Sequence, residues 1–220
     1  MPRRAGTSTR SSARLSREGI VSAAIELADR DGLDGLSMRR LAQHLGVDAM
    51  SIYYHLRDKD TLLAAMADAV VADIDYTLAD GAWTTQLRAL IMQARDTMLQ
   101  HPWAVRVLEG RPDPTPAVLL HIERVLAVMC DGGCSTDLQH HAIHLLGSRI
   151  LGFSQDLFDD NPDPAAPPPP AEWAETLPHV AELAAAVTHD GPLSGCDDEF
   201  EFAFALDLIL DGLEQRRLAS

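Results

Sequence analysis

Residues 50–55 of this 220-residue chain crowd Met50, Ser51, Tyr53, Tyr54 and His55 together, with no acidic residue between Asp48 and Asp58. A solvated helical face would carry Glu and Lys. This one offers hydroxyl and imidazole donors beside apolar groups, the chemistry that suits phosphate oxygens, base edges and thymine methyls. The flanking residues give the segment a shape. Ala42 is small where two helices cross, Gly46 follows where a tight turn needs a positive φ, and Leu41, Leu45, Val47 and Ile52 fill the space between. This is helix-turn-helix spacing, in which the second helix enters the DNA major groove. An ordinary helical hairpin shares the glycine and the apolar spacing; the acid-free surface favours the DNA reading.

His140, His141 and His144 form the other cluster with ligand-like spacing, His140 and His144 sharing a helical face at i and i+4, with Cys130 and Cys134 upstream. Neither Cys-x-x-Cys nor His-Glu-x-x-His accompanies them, and histidines at a subunit interface are the favoured reading, so no metal and no other cofactor is expected. Three cysteines, Cys130, Cys134 and Cys196, are too few for a disulfide framework and read as reduced thiols. No nucleophile elbow, phosphate loop or dinucleotide-binding glycine pattern occurs, and the chain is not expected to be an enzyme.

The elements that must position these residues are helical throughout, giving an all-α fold. Ser16 caps a first helix ending near Asp31-Gly32, Ser37 a second ending at Leu45, and a third runs from about Asp48 to His55. Asp58 caps a fourth. Further on, Trp83 to Gln100 reads as helix stopped by His101-Pro102, and a turn-rich stretch follows from Glu109. Thr115-Pro116 opens the next helix, Ser135 or Thr136 the one after, with a stripe to Leu157. Residues 159–171, holding Pro167 to Pro170, read as a loop, and 178–188 as another helix. The last helix, Glu199 to Arg217, is apolar around most of its circumference. Either it is central or its second face meets another copy of the chain, and a terminal helix is seldom central, which favours a homodimer.

Charge divides the chain in the same place. The net charge is −15, yet residues 1–60 hold 10 basic against 8 acidic side chains and the remainder 8 against 25. Only the N-terminal part suits phosphate. Residues 1–14 form a basic arm of Arg3, Arg4, Arg10 and Arg14 in a polar background too hydrophilic to bury. The domain boundaries expected are 1–14 for the arm, 15–62 for the DNA-binding domain and 63–220 for the regulatory domain. No secretory apolar core opens the chain and no apolar stretch nears the roughly 18 residues of a membrane span, so a cytoplasmic protein with no membrane partner is expected.

From Leu15 to Met66 the chain, through Ile-Val, Ala-Ile-Glu-Leu-Ala-Asp, Gly-Leu-Ser-Met-Arg-Arg-Leu-Ala, Leu-Gly-Val and Ile-Tyr-Tyr-His-Leu-Arg-Asp-Lys-Asp-Thr-Leu-Leu, resembles the DNA-binding domain of the tetracycline-repressor (TetR) family. Gly110-Arg-Pro, Cys130-Asp-Gly-Gly-Cys-Ser and Leu206-Asp-Leu-Ile-Leu-Asp-Gly-Leu-Glu resemble the tetracycline-repressor branch. The resemblance implies a three-helix helix-turn-helix domain followed by a helical ligand-binding and dimerisation domain. It implies a homodimeric repressor on a palindromic double-stranded operator, released by a small-molecule effector. Arg39, Ala49, Met50 and Ser51 match base-reading positions. Tyr53, Tyr54, His55 and Lys59, the sole lysine, match phosphate or groove-edge positions. The effector should meet Met92, Trp103, Arg106, Val107, Arg111, Val125, Ser148 and Phe153. Val107 and Ser148 stand where that branch has histidines around a magnesium–antibiotic chelate, and Asp156 matches a carboxylate reaching the metal through water. A different, metal-free effector is therefore expected, apolar and neutral or cationic given the acidic regulatory half.

Overall fold

The computed structural model describes residues 15–77, 79–150, 175–179 and 198–219. The arm, Phe153, Asp156, the proline-rich segment 159–171, Cys196 and most of 178–188 lie outside the described residues. Among the described residues there is no strand, and the helices are α1 (Arg17–Asp31), α2 (Met38–Leu45), α3 (Ala49–His55), α4 (Lys59–Ala72), α5 (Trp83–Gln100), α6 (Pro102–Glu109), α7 (Pro116–Asp131), α8 (Thr136–Ile150) and α9 (Asp198–Leu218), with a 3-10 turn at Leu33–Gly35.

The caps at Ser16, Ser37 and Asp58 are where the sequence puts them: Ser16 accepts from the Gly19 N–H, Ser37 from Arg40 and Asp58 from Thr61. Asp48, read as the first residue of the third helix, is its cap and accepts from Met50. Helix α6 is the exception. The pattern ends a helix at His101-Pro102 and assigns none to 102–109, yet a new eight-residue helix begins there with Pro102 in its first turn, where a missing N–H costs nothing.

The chain forms two compact units, Met1–Tyr76 with Met92–Arg124, and Thr77–Ile91 with Val125–Ser220. The first unit is centred on Ile20, Ala24 and Leu27 of α1, Leu41 of α2, Ile52 of α3 and Leu62 and Met66 of α4, and Trp103, Ala104 and Val107 of α6 join the same core. Helix α4 crosses the expected boundary at residue 62 unbroken. Asp68 on α4 accepts from the Ala117 N–H in the first turn of α7 at 2.8 Å, satisfying a donor that the helix itself cannot. The Arg124 guanidinium lies 3.4 Å from the centre of the Tyr76 ring.

In the second unit, α8 buries Leu138, Ala142 and Leu146, and α9 buries Phe202, Leu206, Leu210 and Leu213. Phe200, Phe204 and Leu208 of α9 are exposed, so the wide apolar circumference resolves into a core face and a bare one. Trp83 donates its indole N–H to Glu214 at 3.0 Å, and Glu214 also receives Arg217 at 2.7 Å. The same indole sits on Gly132, where a Cβ would fall 2.4 Å from Trp83 Cγ. Gly132→Ala should therefore lower stability by about 1–3 kcal/mol, because the ring is held by its hydrogen bond and cannot retreat freely; thermal denaturation against wild type measures this.

Candidate nucleic-acid interface

Helix α3 is seven residues long and buries one of them, Ile52. Its entry is fixed by Gly46, which takes the left-handed conformation (φ 68°, ψ 30°), and by the Val47 N–H donating to Ala42 at 3.0 Å. Its first turn is held by Asp48, whose carboxylate accepts from the Met50 N–H at 2.8 Å. The Leu56 side chain is buried immediately after its end. Ala49 is half-buried and packs against the same core, His55 is half-buried, and the rest of the helix faces outward: Met50 is 73% and Tyr54 86% exposed, and Ser51 and Tyr53 are exposed. Leu15, Val47, Met50, Ser51, Tyr54 and His55 line a groove of about 570 Å³ along this face.

Two adjacent arginines on α2 divide their roles. Arg40 donates to the Gly35 carbonyl at 2.9 Å and to Asp31 at 2.8 Å, so its guanidinium fastens α2 to the end of α1 and the 3-10 turn. Arg39 is exposed and has no ion pair among the described residues. Lys59 opens α4, also exposed. Its neighbour Asp58 is engaged elsewhere: hydrogen bonds from the Thr61 hydroxyl and N–H, then Arg57, lower its carboxyl to about 2. Arg39, Lys59 and the outward face of α3 are thus exposed cationic and donor groups on one compact unit.

The effector residues expected from sequence are distributed differently. Met92, Trp103, Arg106, Val107 and Arg111 belong to the first unit, Val125 and Ser148 to the second, and Phe153 is outside the described residues. Trp103 and Val107 are buried in the first unit's core, Met92 is half-buried and Arg106 exposed. The buried Arg111 Nε has no hydrogen-bond partner among the described residues. Trp103 donates its indole N–H to Asp29 of α1 at 2.6 Å, and the same carboxylate oxygen meets His101 Nδ1 at 2.8 Å. Asp29, His101 and Asp68 carry no signal in the sequence pattern, because a carboxylate on a helix surface looks the same whether or not another element reaches it.

At the position that the resemblance matches to a chelating histidine stands a valine. Val107 offers hydrocarbon where a ligand would be needed, and it is buried in the core. Among the described residues no group of three or more His, Cys, Asp or Glu side chains is placed to hold a metal ion, and no described helix is long and apolar enough to cross a membrane.

Residues 20–66 match the family described as bacterial regulatory proteins, tetR family, and residues 77–217 match the tetracyclin repressor-like C-terminal domain. The chain is 31% identical to the HTH-type transcriptional repressor DrrR1 of Streptomyces coeruleorubidus, over 91% of this chain and 77% of that protein. It is 32% identical to the class D tetracycline repressor protein of Escherichia coli, over 92% and 90% respectively. Among solved structures, ActR of Streptomyces coelicolor in complex with actinorhodin superposes with a TM-score of 0.73 at 27% identity, covering 93% of this chain and 99% of that one.

Arg39→Ala should cost about 1–3 kcal/mol on the preferred DNA sequence and relax base preference at one position of each half-site. Arg40→Ala should instead lower thermal stability and leave base preference unchanged. Selection of bound DNA with each variant distinguishes the two, and an unaltered motif for Arg39→Ala would remove it from the base-reading set.

Proposed function

The chain belongs to the TetR family of bacterial regulatory proteins, and on that premise we propose that it is a homodimeric repressor that holds a two-fold operator until a small molecule displaces it. The observation that carries the reading is helix α3, short, capped and anchored by the buried Ile52 with Ala49 against the core, and with Met50, Ser51, Tyr53 and Tyr54 exposed to a partner. Arg39, Ala49, Met50 and Ser51 read bases; Arg grips guanine O6 and N7, while Ala and Met contact thymine methyls. Tyr53, Tyr54, His55 and Lys59 hold phosphates and the groove edge. The protein acts in the cytoplasm as a regulator, with no catalytic step of its own.

The exposed Phe204 and Leu208 of α9 support the dimer, since a helix already sealed on one side by Leu206 and Leu210 has a second apolar surface to cover. The effector is an apolar, neutral or cationic molecule taken up by the regulatory domain, with Met92, Trp103, Arg106, Val107 and Arg111 of the first unit as its candidate contacts. Arg111 supplies an unmatched buried donor that an oxygen of such a molecule would satisfy. An effector that prefers the operator-incompetent form must itself be weakened by operator to the same factor.

Selection from a random DNA library should return a palindrome whose half-sites lie about one helical turn apart, and a non-palindromic or absent motif would defeat the reading. With about 6–10 phosphates neutralised per dimer, affinity for that sequence should fall about 10³–10⁵-fold between roughly 50 and 200 mM salt. Phe204→Glu combined with Leu208→Glu should give a folded monomer by sedimentation, and wild type that sediments as a monomer at micromolar concentration would remove the dimer.

A further inference from the structure

Leu15 is half-buried against the first unit's core and lines the same groove as Met50, Ser51, Tyr54 and His55 of α3. Ser16, next in the chain, caps α1 by accepting from the Gly19 N–H. The chain therefore reaches α1 at the edge of the outward face of α3, and residues 1–14 lead to that point. They carry Arg3, Arg4, Arg10 and Arg14 and no acid, and the exposed Arg17 in the first turn of α1 continues the run. Between the arginines stand only Ala, Gly, Ser and Thr, so nothing bulky separates the cations. With α3 in the major groove, the neighbouring minor groove lies half a helical turn, or about 17 Å, along the duplex. At about 3.3–3.6 Å per residue, Arg10 reaches up to about 17 Å from Leu15 and Arg4 up to about 38 Å. The minor groove is about 6 Å wide and narrows over A·T tracts, where its negative potential is strongest and draws in arginine. Small side chains fit that width, and a guanidinium gives up water more readily than an ammonium does.

We propose that residues 1–14 of each protomer follow the minor groove adjacent to the half-site held by α3. Arg14 meets the phosphates between the two grooves, and Arg10, Arg4 and Arg3 enter the minor groove where A·T pairs narrow it. The partner is the same duplex, so the inference rests on the operator reading of α3. It adds a second source of sequence preference, through groove width, at base pairs that α3 does not touch. The competing partner for these arginines is the acidic remainder of the chain, with 25 acidic against 8 basic side chains after residue 60. Their exit beside Met50 and Tyr54 favours DNA.

The test compares the full-length protein with two variants, one carrying Arg3→Ala, Arg4→Ala, Arg10→Ala and Arg14→Ala together and one carrying lysine at the same four positions. Selection from a random DNA library should give wild type a palindrome with A·T pairs enriched beside each half-site, and the alanine variant the same palindrome without them. Replacing those A·T pairs by G·C should weaken wild type at least about tenfold and leave the alanine variant within about twofold. The lysine variant should keep the salt dependence of wild type but lose most of the A·T preference. Dimethyl sulfate, which methylates adenine N3 from the minor groove, should find those adenines protected by wild type and open with the alanine variant. A palindrome with no flanking preference, protection that persists in the alanine variant, or a loss of affinity that is equal on both flanks would each overturn the inference. So would tighter binding by the alanine variant, which would assign the arginines to the acidic half. A wild type that returns no palindrome defeats the operator reading and this inference with it, whereas the other outcomes leave that reading standing.

Discussion

A seven-residue helix cannot hold its own place in water, since isolated helices shorter than about 12–15 residues are marginal even with good helix formers. Helix α3 therefore depends on what is attached to it: one fully buried Ile52, worth about 1.5–3 kcal/mol, the Asp48 cap, and the left-handed Gly46 that aims the chain back along α2. Economy of anchorage leaves the outward residues available. Beside Ile52 only the small Ala49 packs against the core from α3, so little of the surface offered to a groove is spent on anchorage. Ile52 joins a core in which Ile20, Leu27, Leu41, Leu62 and Met66 are sealed from solvent, and that core holds α3 in place.

The net charge would turn DNA away if it were spread evenly. Local arrangement overrides it. Asp31 is committed to Arg30 and Arg40, and Asp58 to Thr61 and Arg57, so two acids close to the proposed interface are already engaged by neighbours. Engagement does not erase their charge, but it leaves Arg39 and Lys59 as cations with no acid drawn against them among the described residues.

Much of this is legible in the amino-acid sequence, and for identifiable reasons. Caps at Ser16, Ser37 and Asp58 are local hydrogen bonds within three residues, and the helix-turn-helix glycine is a single backbone requirement; both are written in short windows. Helix α6 was illegible because His101-Pro102 signals a stop and a start equally well. The roles of Arg39 and Arg40 were separated by Asp31, nine residues from Arg40, and that distance exceeds any local pattern. The final helix showed too many apolar residues for one face, but which of them is bare, Phe204 and Leu208 rather than Leu206 and Leu210, depends on the partner elements. Trp103 reads as an effector contact because it stands at a helix end expected to border an apolar cavity; its hydrogen bond to Asp29 comes from a residue 74 positions away.

That last bond bears on how a regulatory segment can speak to a DNA-binding one. Within the first unit, two carboxylates reach out of the helix-turn-helix module: Asp29 of α1 to Trp103 and His101 at the start of α6, and Asp68 of α4 to the first turn of α7. Both are charged acceptors, and such hydrogen bonds are stronger and more directional than neutral ones. Apolar packing between α4 and α6 tolerates small slides, whereas a 2.6 Å bond to a buried indole does not. A ligand that favours a different position for α6 must therefore either carry α1 with it or leave the Trp103 N–H unsatisfied in the core, at about 1–3 kcal/mol. The first course moves α1, and with it the core that holds Ile52 and so the face of α3, which is the physical route by which occupancy of one segment can be felt at the other.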